Sequence, residues 1–135
     1  MQSPAPRAPA LRTTSATYPG NAERISTVRA DLRALLADCP IADDVILCAS
    51  ELAANAALHS SSGQPGGTFT VRTTVSPGHH VRIDVEDSGG PWTTAINDPA
   101  RHHGLDIVRA LAKEWGTEDD QSGRIVWATF HWAVS

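Results

Sequence analysis

The stretch from Phe69 to Glu86 constrains the fold more than any other. Phe69, Val71, Thr73 and Val75 alternate with Thr70, Arg72 and Thr74; after Pro77-Gly78 the same period resumes, with Val81, Ile83 and Val85 against Arg82, Asp84 and Glu86. A period of two sends successive side chains to opposite faces, so the sequence predicts an antiparallel hairpin with one apolar and one polar face. The apolar face needs a cover, and a second layer must supply it.

Helical periodicity on both sides of the hairpin supplies that layer. Ile25, Val28, Leu32 and Leu35 fall on one stripe of a helix predicted from an Asn21 N-cap to Asp38, with Glu23 in its first turn and Cys39-Pro40 ending it. Asp43 and Asp44 precede a second stripe, Val45, Cys48, Leu52 and Ala56, in a helix predicted from Ala42 to Ser60. Ser61 to Gly67 is a loop by composition, and Asp87 to His103 is irregular. Leu105, Val108, Leu111 and Trp115 mark a third helix from Gly104 to Trp115. Gly116 to Glu118 and Arg124 to Val134 read as the last strands. The order of elements implies an α+β fold, a two-layer α/β sandwich with a mostly antiparallel sheet and helices on one face. Trp127 and Trp132, five apart on the last strand, fall on opposite faces, so only one of them belongs to the core.

Composition sets the outer bounds. The chain has 135 residues, enough for one domain, with 41% apolar and 19% charged residues and no run near the roughly 20 apolar residues that span a bilayer. Residues 1–17 hold Leu11 as their one large aliphatic side chain besides the initiating Met1 and read as a disordered tail, leaving 18–135 as the folded domain. The N-terminus has no apolar signal-peptide region, which points to the cytoplasm. Cys39 and Cys48 form no Cys-x-x-Cys pattern and read as small core residues rather than zinc ligands or a disulfide. A net charge of -4 with scattered arginines leaves no basic face for direct nucleic-acid binding.

Three short segments carry chemistry. Glu51, Asn55 and His59 are spaced four apart, so on a helix they form one polar stripe drifting about 40° per step. The stripe lies beside Cys48, Leu52 and Ala56, at the edge of the core. An Asn side-chain oxygen suits Mg²⁺, a hard cation that shares phosphate oxygens, and a carboxylate one turn earlier can orient or deprotonate a nucleophile attacking a γ-phosphate. Taken alone, such a stripe is more often a solvated helix face.

Asp87 falls where its strand ends, and Ser88-Gly89-Gly90 lets the chain pass close to a bound ring without a Cβ clash. A buried carboxylate there can accept a hydrogen bond from the exocyclic amine of adenine. Alone it also reads as a turn. Gly104 opens the third helix, whose free N–H groups attract phosphate, with Arg101, His102 and His103 beside it. Adjacent histidines point to different sides and lack a third ligand, so this pair does not read as a metal site.

Together these segments resemble the N, G1 and G2 boxes of the GHKL ATPase superfamily, the Bergerat ATP-binding fold. Glu51 to His59, Asp87 to Trp92, His103 to Val108 and Gly123 to Trp127 are similar to the small bacterial anti-sigma-factor serine/threonine kinases, notably the stand-alone actinobacterial members. The resemblance runs from about Tyr18 to Trp132. It implies Asn55 as the Mg²⁺ ligand, Glu51 as the general base, Asp87 on the adenine amino group, and Gly89 at the turn over the nucleotide. It also implies that Gly104 and Leu105 bring the helix opening onto the phosphates of ATP, and that Trp92 to His103 forms a lid. Two positions depart from the pattern: Pro91 replaces a glycine of the second box, and His102 replaces the first glycine of the third, where a loop should wrap phosphate.

The implied activity is phosphorylation of Ser or Thr on an anti-anti-sigma (STAS-type) antagonist, together with sequestration of a sigma factor. The alternative, motivated by His102, is a non-catalytic interaction module with weak or lost turnover. The ATPase half of a histidine kinase ranks lower, since no dimerisation helix with a phospho-acceptor His is present in the sequence. Arg24, Arg29 and Arg33 on the first helix read as a solvated face, with a homodimer or sigma-binding surface as the alternative.

Overall fold

A computed structural model of the chain describes residues 12–59, 67–76, 80–87, 106–120 and 123–132. The chain runs β1 (Arg12–Pro19), a 3-10 turn (Ala22–Arg24), α1 (Ile25–Leu35), α2 (Ala42–His59), β2 (Thr68–Ser76), β3 (His80–Asp87), α3 (106–111), β4 (Glu114–Asp120) and β5 (Gly123–His131). The strands form one antiparallel sheet in the order β1-β2-β3-β5-β4, with α2 packed across β3, β2 and β5 and α1 packed on α2. This is the expected α+β two-layer sandwich.

The hairpin has the predicted register. Val71 faces Val85, Thr73 faces Ile83 and Val75 faces Val81, all buried, while Arg72, Arg82, Asp84 and Glu86 take the other face. On that outer face Arg72 pairs with Glu86 at 3.0 Å, and Arg82 pairs with Asp84 at 2.9 Å and with Glu118 at 3.5 Å. Above the inner face, Val28, Leu32 and Leu36 meet Val45, Cys48, Leu52 and Ala56, and Ala49 and Ala53 let α2 come close to the sheet. Val108 closes the core from α3.

Trp127 and Trp132 do divide between the faces. Trp132 packs against the core. The ring of Trp127 lies outside, 4.7 Å from the Arg82 guanidinium carbon, and crosses Gly116 on the neighbouring strand. A Cβ at Gly116 would stand 2.8 Å from the Trp127 ring, so the glycine is required by its aromatic neighbour.

Three boundaries differ from expectation. Residues 12–17, expected in the tail, are strand: Thr13, Thr14 and Thr17 are β-branched, Thr17 Oγ1 lies 2.8 Å from Thr70 Oγ1, and Tyr18 stacks on Phe69 with ring centroids 5.5 Å apart. Residues 1–11 lie outside the described set. The first helix begins at Ile25 after a 3-10 turn, and the Asn21 carbonyl, not its side chain, receives the Arg24 N–H at 3.1 Å; the helix ends at Leu35 rather than Asp38. The third helix stops at residue 111 because the Lys113 N–H bonds the Thr129 carbonyl at 2.8 Å, which draws Trp115 into β4 as a strand residue. Its spacing fitted a helix, but sheet pairing prevailed.

Candidate functional site

Chain direction gathers the site at one end of the sheet. α2 descends over β3 and ends at His59, β2 begins at Thr68, β3 ends at Asp87, and β5 begins at Gly123. Phe69 and Arg124 flank Asp87 in register. The last turns of α2, the start of β2, the end of β3 and the start of β5 therefore share one rim.

Glu51 and Asn55 stand one turn apart on α2, with Glu51 half-buried and Asn55 9% exposed. The Asn55 Nδ2 is buried and has no hydrogen-bond partner among the described residues. An unsatisfied buried amide of this kind costs about 1–3 kcal/mol, so it marks a place where a further polar group is expected. Beneath Glu51, Cys48 is fully buried; burial, with Asp44 and Glu51 nearby, pushes its thiol pKa up to about 12. Cys48 is thus a neutral packing residue and offers no thiolate ligand.

Ser50, buried beside Glu51, donates from Oγ to the Ile46 carbonyl at 2.7 Å and accepts from Arg29 Nε at 3.0 Å. This bond ties α1 to the site helix and steadies the turn that carries Glu51.

Asp87 is 7% exposed on the core face of β3, and its Oδ1 accepts the Arg124 N–H at 3.4 Å. Arg124, 8% exposed, stands opposite Asp87 in register on that face, and the contact between them runs from its main-chain nitrogen. Sequence reasoning placed Arg124 in a motif without giving it a role; the signal that would have found it is an arginine opening an otherwise apolar strand. Gly89, Arg101, Gly104 and Leu105, and with them His102, lie outside the described residues, as does the side chain of His59.

The donor set fits the expected group. Asn55 carries an oxygen for a hard cation and an orphaned N–H₂ for a phosphate or water oxygen, and Asp87 offers a buried acceptor. No cluster of three or more His, Cys, Asp or Glu forms a protein-only metal site among the described residues. A cavity of about 250 Å³ lined by Arg12, Leu35, Cys39, Val75 and Trp132 lies at the opposite end of the sheet, away from these residues.

A five-stranded antiparallel sheet backed by helices, with a buried amide and a buried aspartate at one rim, is an α+β domain of the GHKL type. Residues 18–130 match the family described as histidine kinase-like ATPase domain, and the chain belongs to that family. The family implies ATP binding.

Among solved structures, the chain is similar to the histidine kinase domain of the blue-light activated histidine kinase from Erythrobacter litoralis EL346, with 19% identity and a TM-score of 0.53. The match covers 81% of this chain and 59% of that one, so the likeness is one of fold over part of a longer protein. No curated protein matches the chain. No helix among the described residues is long and apolar enough to cross a membrane.

Proposed function

We propose that the chain is a cytoplasmic regulatory protein that binds Mg²⁺-ATP, phosphorylates Ser or Thr on an anti-anti-sigma (STAS-type) antagonist, and holds a sigma factor until that antagonist releases it. The observation that carries the nucleotide part is the buried Asn55 Nδ2, without a hydrogen-bond partner among the described residues, one helical turn after Glu51 and on the same rim as buried Asp87. Asn55 would hold the magnesium ion, whose bound form neutralises charge on the phosphates. Asp87 would accept a hydrogen bond from the adenine amino group. Glu51 would take the proton from the substrate hydroxyl as its oxygen bonds to the γ-phosphorus, the bond to the β-phosphate oxygen breaks, and ADP leaves. Gly89, Arg101, Gly104 and Leu105 would complete the turn and the phosphate contacts. The partners rest on the resemblance of the motifs alone.

The test is calorimetric titration of ATP and ADP with and without Mg²⁺, followed by label transfer from γ-labelled ATP to candidate antagonists. Glu51→Ala should abolish transfer and spare binding, whereas Asp87→Ala should weaken binding itself. Absence of both binding and transfer in the wild type would sink the proposal. A second reading, a non-catalytic interaction module, is favoured by His102 where the motif has glycine. It predicts weak ATP affinity and partner complexes indifferent to nucleotide.

A further inference from the structure

The outer face of β3 carries His80, Arg82, Asp84 and Glu86, alternating with its buried valines and isoleucine. The three charged residues pair with other charges across that face, and His80 is left with a different neighbour. It stands directly opposite His131 in the β3–β5 register, with the ring centroids 4.5 Å apart and the rings inclined at 73°. His80 is half-buried and His131 is exposed at the end of β5. Neither ring takes part in a hydrogen bond among the described residues, so the nitrogens of both are open to a ligand.

Directly opposed residues on antiparallel strands hold their Cβ atoms about 4.5–5.5 Å apart, close enough for two imidazoles to take one ion between them. A ligating nitrogen lies about 2.1 Å from the metal and about 1.1 Å from its own ring centre, so each centroid stands about 3.2 Å from the ion. Two such rings at the roughly 90° of neighbouring positions in a square-planar or octahedral set have centroids about 4.5 Å apart, whereas the tetrahedral angle spreads them to about 5.2 Å. The observed 4.5 Å is the separation of the 90° set. The charges nearby allow a dication. Lys113 and Arg82 lie close to His80, but Arg82 is paired to Asp84 and Glu118, and Glu114, opposite Thr129 on β4, is diagonal to His131 on the same face. Burial and the neighbouring cations hold the His80 pKa below 6.5, so the ring is neutral and keeps a lone pair at pH 7.

We propose that His80 and His131 form a two-histidine site for a late first-row divalent ion, Cu²⁺ or Ni²⁺ ahead of Zn²⁺, which ties the start of β3 to the end of β5. Imidazole suits these ions, and water fills the remaining positions, so the ion exchanges with solvent instead of being caged. The site is separate from the nucleotide rim. Asp87 lies seven residues further along β3, about 23 Å away, and Mg²⁺ takes oxygen ligands in place of imidazole.

Calorimetric titration of the full chain with CuCl₂, NiCl₂ and ZnCl₂ in a non-coordinating buffer tests the pair. Of the six histidines, the four outside the pair stay in every variant and supply a constant background. Losing one ligand of a chelate costs at least what a lost outer-shell partner costs, so His80→Gln and His131→Gln should each weaken Ni²⁺ binding about tenfold or more. The double variant should bind no more weakly than either single one, because the chelate is gone once one ring is lost. Saturating Ni²⁺ should raise the melting temperature of the wild type and leave that of the variants unmoved. His131 is exposed, so His131→Gln should keep the circular dichroism of the wild type and test the site without disturbing the fold. Losses that add between the two variants would mean two independent sites, and unchanged affinity in either variant would put the ion elsewhere. Either result, or Zn²⁺ bound more tightly than both Cu²⁺ and Ni²⁺, would overturn the assignment.

Discussion

Tyr18 Oη donates a 2.7 Å hydrogen bond to Asp31 Oδ2 and thereby fastens the edge strand β1 to helix α1. The ring is buried against Phe69 while the carboxylate stays in water, so the bond crosses from core to surface. Burial, followed by the Asp31 hydrogen bond and charge, raises the phenol pKa well above its ordinary value of 10. The stability this group contributes is complete below pH 10 and declines as pH rises above it, because the unfolded chain ionises first. Tyr18→Phe should cost about 1 kcal/mol at neutral pH and remove part of the alkaline loss. Urea melts of both proteins at pH 7 and pH 11 check this, and parallel alkaline losses would refute it.

Gly116 and Trp127 make a second prediction. Because the Trp127 ring lies where a Cβ would go, Gly116→Ala must push the indole off the strand and away from Arg82. The expected cost is about 1–3 kcal/mol, with a shift in tryptophan fluorescence. Thr117→Ala, one residue along and exposed, should stay within about 0.5 kcal/mol of wild type. Equal midpoints for the two variants would show that the ring yields freely.

His80 and His131 meet across β3 and β5 with ring centroids 4.5 Å apart. Burial, with His131, Arg82 and Lys113 close by, lowers the His80 pKa below its usual 6.5; Asp84 and Glu118, the nearby carboxylates, are paired to Arg82. A base with a depressed folded pKa leaves stability unchanged above about pH 6.5. As pH falls the unfolded state takes up the proton first, so stability drops until the folded pKa is reached and then levels. His80→Gln should flatten this part of the profile. A ring-proton titration by NMR with a midpoint at or above 6.5 would contradict the shift.

The hairpin was legible because apolar and polar residues alternate from Phe69 to Val75 and again from Val81 to Glu86 on either side of Pro77-Gly78, and the second helix because Val45, Cys48, Leu52 and Ala56 keep helical spacing up to the site. Glu51, Asn55 and Asp87 could be named from spacing and from their place at the end of an element, and the fold brings Asn55 and Asp87 to one rim. β1 was not legible, since Thr13 to Thr17 has no apolar alternation and owes its structure to threonine pairing with β2 and to the anchor at Tyr18. Trp115 misled because a residue four beyond Leu111 extends a helical stripe just as well as it begins a strand facing Ala128. Arg124 escaped because only the sheet register, with Asp87 opposite, shows a charge inside the core.

Asn55 separates folding from ligand binding. Nδ2 is buried and has no hydrogen-bond partner among the described residues, so the amide gains little from them in the ligand-free protein. In Asn55→Ala no such bond is lost and only a small void opens, so ligand-free stability should stay within about 1 kcal/mol of wild type. The gain in melting temperature on adding Mg²⁺-ATP should vanish, because the lost group is the one that would hold the ion and a phosphate oxygen. Thermal melts of both proteins with and without Mg²⁺-ATP measure each arm. A variant several kcal/mol less stable without ligand would make Asn55 a structural residue. A variant that keeps the full nucleotide shift would remove it from the site.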